Sequence, residues 1–103
     1  MNHPRHGILI VGCGSIGERH VRTFLNTGRA RVVACDPQPE VCQRIAESYG
    51  VATGPDWSAA LSDPAITGVV IATPAPLHVP MATRTLAAGR HVLIEKPLAI
   101  DLE

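Results

Sequence analysis

"GILIVGCGSIG", residues 7–17, is the stretch on which the reading of this chain turns. Its first half, "GILIVG" (7–12), is a continuous apolar run with β-branched residues, bounded by glycines and too short for a helix. Such a run predicts a strand buried on both faces. Its second half, Gly12 to Gly17, fits GxGxxG. Between a strand and a helix, that pattern presents unpaired backbone N–H groups to phosphate. Gly12 then permits the tight turn, Gly14 lets a pyrophosphate approach the main chain, and Gly17 lets the helix pack closely on the sheet. Ser15 and Ile16 lie at the helix head, where the free N–H groups are.

Outward from this turn, two sequence periods alternate. Ile16, His20 and Phe24 recur at helical spacing with Val21 and Leu25 beside them, and Gly28 ends the helix. A lone histidine on such a stripe reads as a packed, hydrogen-bonded residue. "RVVACD" (31–36) is a second strand and "PEVCQRIAESYG" (39–50) a second helix. "VATG" (51–54) is a short third strand, and Asp56 an N-cap for a short helix to Leu61. "AITGVVIAT" (65–73) is a fourth strand, followed after Pro74 and Pro76 by a helix from about Leu77 to Ala88. "HVLIE" (91–95) is a fifth strand. Apolar strands alternating with amphipathic helices predict an α/β fold with a parallel sheet covered on both faces. Right-handed crossovers make it doubly wound, a Rossmann arrangement with strand order 3-2-1-4-5.

In such a sheet Gly12, Asp36, Thr73 and Lys96 all fall at carboxyl ends of strands, on the rim where ligands bind. Asp36 lies 19 residues after Gly17, where a carboxylate accepts hydrogen bonds from the ribose hydroxyls of an adenosine. An acidic residue there repels a 2′-phosphate, which favours NAD over NADP. The plainer reading is a solvated aspartate opening the "DPQP" turn. "ATPAPLH" (72–78) would place Thr73 and Pro74 opposite Gly12, in the crevice between strands 1 and 4. His78 either reaches the cofactor or is an exposed residue of the following helix. Cys13 fills space in the glycine turn, although a helix N-terminus is also a place where a thiol pKa falls. Trp57 reads as a packing residue.

Lys96 is the only lysine, every other basic residue being arginine. A compact, mobile ammonium donates to one oxygen and exchanges a proton in ways a guanidinium does not. Beside a nicotinamide it would hold a substrate hydroxyl or polarise the carbonyl formed from it. Glu95 would position it and Pro97 would fix the turn. The competing reading is a chance lysine on a surface loop.

The totals bound the alternatives. A chain of 103 residues is one domain, with 46% hydrophobic and 17% charged residues, a globular composition. Net charge is zero with neutral histidines, so no general electrostatic case exists for nucleic acid or an anionic membrane. No apolar run has the length of a membrane span. Three cysteines without a CxxC pattern read as free thiols in a reducing cytoplasm, with no metal site expected.

With these residues assembled, the chain resembles the N-terminal domain of the glucose–fructose oxidoreductase, inositol dehydrogenase and rhizopine-catabolism (Gfo/Idh/MocA) family. "GCGSIGERH", "ATPAPLHVPMATRTLAAGRHV" and above all "EKPLA" carry the resemblance, which runs from about Gly7 to Leu102. It implies an NAD(P)-binding Rossmann domain, followed in the family by a larger substrate domain. Gly12, Gly14, Gly17 and Asp36 would be cofactor residues, with Thr73, Pro74 and His78 nearer the nicotinamide. Lys96 would be the catalytic or substrate-orienting lysine, and Glu95 would lie close to the cofactor. Residues 1–103 then form a truncated dinucleotide-binding domain, without the family's sixth strand and substrate domain. Such a chain is expected to bind cofactor but not to turn over a sugar or polyol by itself. Its bare fifth strand is expected to favour self-association into a homo-oligomer. A non-catalytic nucleotide sensor and a domain binding S-adenosylmethionine are the rival readings.

Overall fold

The computed structural model describes residues 6–95. Its elements alternate: β1 (His6–Val11), α1 (Ser15–Thr27), β2 (Ala30–Cys35), α2 (Pro39–Tyr49) and β3 (Ala52–Gly54). The second half runs α3 (Trp57–Leu61), β4 (Ile66–Ile71), α4 (His78–Ala87) and β5 (His91–Ile94). All strands pair in parallel, in the order β3-β2-β1-β4-β5. The expected doubly wound arrangement is therefore the one observed.

Alternation along the central strands divides the core in two. Ile10, Val32, Ala34 and Val70 pack with Val21 of α1 and Ile45 of α2. Leu9, Val69 and Ile71 face the other way, against Leu61 of α3 and Ala82 of α4. Because both faces of β1 and β4 are covered, their sequences are continuously apolar rather than alternating. Asp56 caps α3 as its position predicts, its carboxylate accepting from the Ser58 and Ala59 N–H groups.

Two local readings change. Ile16 does not join the packed face of α1: it is 45% exposed in the first turn, and Gly17 and Val21 meet the sheet instead. The helix after β4 begins with a single 3₁₀ turn, Ala75–Leu77, before α4 starts at His78. Prolines at 74 and 76 lack the N–H groups that a regular helix start would use, and Leu77 N–H bonds the Pro74 carbonyl instead.

Candidate cofactor site

Four strand ends build the rim by one repeated device. The residue after each strand donates its N–H to the last residue of the neighbouring strand. Gly12 bonds the Cys35 carbonyl at 2.8 Å, Asp36 that of Gly54 at 3.1 Å, Ala72 that of Val11 at 2.8 Å and Glu95 that of Ile71 at 3.1 Å. The chain thus stays in sheet register for one residue beyond each strand before it turns.

A cleft of 660 Å³ opens along this rim. Gly12, Gly14, Asp36, Thr73 and Pro74 line it, as the sequence predicts. Pro55, Trp57, Leu77 and Met81 add an apolar wall. Among the described residues that line the cleft, Asp36 is the one that carries a charge.

The three glycines of the turn are glycine for different reasons. Gly12 has φ +90°, and a Cβ there would lie 2.9 Å from the Ala72 carbonyl and the Thr73 nitrogen. At Gly17 a Cβ would run into the Gly12 carbonyl oxygen, so helix and turn touch main chain to main chain. Gly14 differs. Its φ of −67° is open to any residue, and a Cβ would meet nothing within 4 Å. Packing does not require glycine at 14, whereas a ligand pressed against the backbone does.

Asp36 serves both of its sequence readings. One carboxylate oxygen accepts from Gln38 N–H at 2.9 Å, which closes the turn after β2. The other accepts from Cys13 N–H at 2.9 Å and so ties the glycine turn to the end of β2. Each oxygen keeps a lone pair for a donor in the cleft. Cys13 behaves unlike a helix-activated thiol. It is 1% exposed, donates to the Cys35 carbonyl, and has its pKa pushed up to about 12, by burial first and then by Asp36. Desolvation of the thiolate is the largest cause of that rise.

His78 is neither exposed nor part of the cleft wall. It is 2% exposed, with Nε2 2.5 Å from the Thr73 carbonyl. A carbonyl only accepts, so Nε2 carries the hydrogen and the ring holds the Thr73–Pro74 loop from behind. The Thr73 hydroxyl turns to the sulfur of Met81 at 3.5 Å. Glu95 is not among the residues that line the cleft, and its carboxylate is paired with His20 Nε2 on α1. Ser15 and Ile16 stand exposed at the helix head beside Gly14. Lys96 and Pro97 lie outside the described residues.

Trp57 was legible only as a packing residue. It packs on the α3–α4 core and carries the Arg84 guanidinium 5.0 Å from its ring centre, yet it also lines the cleft. Its place just beyond the end of β3, on the same rim as Asp36, is the signal that would have found it.

A family model described as an oxidoreductase family with an NAD-binding Rossmann fold matches residues 6–103. Inositol 2-dehydrogenase of Streptomyces avermitilis is 35% identical over 98 residues, covering 92% of this chain and 29% of that protein. Among solved structures, GenD2 from gentamicin A biosynthesis, in complex with NAD, superposes with a TM-score of 0.88 at 34% identity. That match covers 97% of this chain and 30% of the other. KijD10, a 3-ketoreductase from Actinomadura kijaniata in complex with NADP, gives 0.83 at 27% identity, covering 94% and 30%. The chain therefore spans under a third of the length of these relatives.

Proposed function

The chain belongs to the Gfo/Idh/MocA oxidoreductase family, and from that premise we propose that it is the dinucleotide-binding part of an enzyme that oxidises a hydroxyl compound. Sugars and polyols are the substrate class in view, since an inositol dehydrogenase is among the relatives. Gly14 carries the reading: a glycine in open space, flanked by two that packing demands. In this role Gly12, Gly14 and the N–H groups of Ser15, Ile16 and Gly17 receive the pyrophosphate. Asp36 takes the adenosine ribose. Thr73 and Pro74, held by His78, line the nicotinamide half.

The nicotinamide, when bound, supplies the hydride acceptor or donor. The chain's own contribution is to bind it, orient it and keep water from one face. Lys96 holds the substrate oxygen, and the group that takes the proton belongs to the part of the relatives that this chain does not span. Asp36, the one charge among the described residues of the cleft wall, supports NAD over NADP, because no cationic side chain among those lining residues would receive a 2′-phosphate.

Energy transfer from Trp57, which lines the cleft, gives the test. NADH should bind saturably and more tightly than NADPH, and Gly14→Ala should weaken both. Equal binding of NADPH would overturn the choice of cofactor. Absence of binding by calorimetry to folded chain would overturn the site. Among the described residues β5 has a strand neighbour on one side only and Leu93 is 50% exposed, which supports self-association. A monomeric mass by light scattering at high concentration would remove that reading.

A further inference from the structure

We infer that Glu18 is a specificity-determining residue, which holds the Arg44 guanidinium against α1 and so withholds from the ribose end of the cleft the cation that a 2′-phosphate needs. The inference rests on the reading of the cleft as a dinucleotide site. Glu18 lies in the first turn of α1, its N–H bonded to the Gly14 carbonyl at 2.8 Å. Both of its carboxylate oxygens are taken by α2. Arg44 Nη1 donates to one and the Tyr49 hydroxyl to the other, each at 2.6 Å. The Tyr49 oxygen accepts in turn from Arg22 Nη1 at 3.3 Å, which keeps the phenol hydrogen aimed at the carboxylate. These bonds, that of Tyr49 first and that of Arg44 second, hold the Glu18 pKa below its usual value, so the clamp is charged at neutral pH.

α2 opens at the rim, since Pro37 and Gln38, just before it, line the cleft beside Asp36. Arg44 stands about 9 Å along the helix axis from Gln38. Helical side chains lean toward the N-terminus, so an arginine stem released at 44 points at the rim and covers much of that distance. The guanidinium is already within electrostatic reach of the glycine turn. Burial first, then Asp36, push the Cys13 pKa up, and Arg44 opposes them. The Cys13 N–H is the one that holds the Asp36 carboxylate. Arg22 lies one turn further along α1 than Glu18, away from the rim, which leaves Arg44 as the nearer cation. Glu40, one turn nearer the rim on α2, is exposed, where a pair with the arginine four residues on holds weakly. The side chains of Arg44 and Glu18 are 49% and 24% exposed, so water and salt reach their pair and it opens at modest cost.

Titration of the purified chain with NADH and with NADPH, followed by energy transfer from Trp57 on the cleft wall, gives the test. Glu18→Gln keeps the shape of the side chain and removes its charge. It should change NADH affinity little and tighten NADPH, so that the NADPH-to-NADH affinity ratio rises about fivefold or more. Removing a carboxylate also relieves repulsion of the more highly charged ligand, and a second substitution separates the two causes. Glu18→Gln combined with Arg44→Met should return the ratio to that of the unmodified sequence, and Arg44→Met alone should leave it there. The gain should fall as salt is raised. A clamp that served only to join the helices would move both affinities together, or the melting temperature alone. Should Glu18→Gln fail to fold, Glu18→Asp, one methylene short of the guanidinium, carries the same comparison. A ratio unchanged by breaking the pair would overturn the inference, as would a gain that survives the loss of Arg44. If neither nucleotide binds the folded, unmodified chain, the cofactor reading fails and the inference with it, whereas NADH binding with an unmoved ratio sinks the inference alone.

Discussion

The glycine turn and the end of β5 are two parts of one rim, built by opposite means. Around Gly12 the contacts are main chain to main chain. The Gly17 position lies against the Gly12 carbonyl, and Gly12 N–H bonds the Cys35 carbonyl. At Glu95 one backbone bond remains, and the rest is a side-chain pair with α1. At Gly12 and Gly17 these contacts leave no room for a side chain. A side-chain pair is adjustable, and it can be removed without touching the sheet. The fold thus makes the proposed phosphate end rigid and leaves the proposed chemical end tunable.

Gly17→Ala should have the largest effect. Its Cβ meets main chain that cannot move, so a loss above about 3 kcal/mol is expected, and a fall in Tm of about 12 °C or more. Gly14→Ala sharpens the contrast: Tm should hold within about 3 °C, while NADH binding weakens about tenfold or more. If both variants melt alike, the distinction between packing and ligand glycines is wrong.

Asp36→Ala comes next, because it removes the acceptor for two backbone N–H groups as well as the proposed ribose partner. A cost of about 1–2 kcal/mol in urea unfolding is expected, with NADH affinity down about tenfold. Retained NADH affinity would confine Asp36 to closing the turn.

A smaller effect appears at high pH. Cys13 stays a thiol in the folded chain up to about pH 12, whereas its ordinary value is 9.0. Its contribution is complete below pH 9.0 and is lost as pH rises from there toward 12. Cys13→Ala should flatten the alkaline limb of a stability–pH curve. Cys35, raised to about 11 chiefly by burial, acts in the same direction.

The smallest effect belongs to Glu18, which accepts from Tyr49 and Arg44 of α2 at 2.6 Å each. These bonds hold its pKa below the usual 4.5, so the stability it adds is present above that pH and lost as pH falls through the lowered value. Glu18→Gln should cost less than about 1 kcal/mol at neutral pH and reduce the acid sensitivity. A larger loss would mean that the α1–α2 contact, and not the main-chain packing, holds the glycine turn.

Much of this molecule was open to reading from residues 7–95 alone. Strand order followed from apolar runs and the handedness of crossovers. Gly12 and Gly17 followed from what a turn and a close helix require, and the Asp56 cap from its place before α3. Each of these is a local stereochemical demand, written within a few residues of where it acts. His20 meeting Glu95, His78 turning inward to Thr73, Trp57 reaching the cleft and the high pKa of Cys13 were not written in that way. Each depends on which groups a folded sheet brings together from distant parts of the chain and on how much water it excludes between them. Periodicity reports which face of an element is buried. It does not report which polar group waits on the other side.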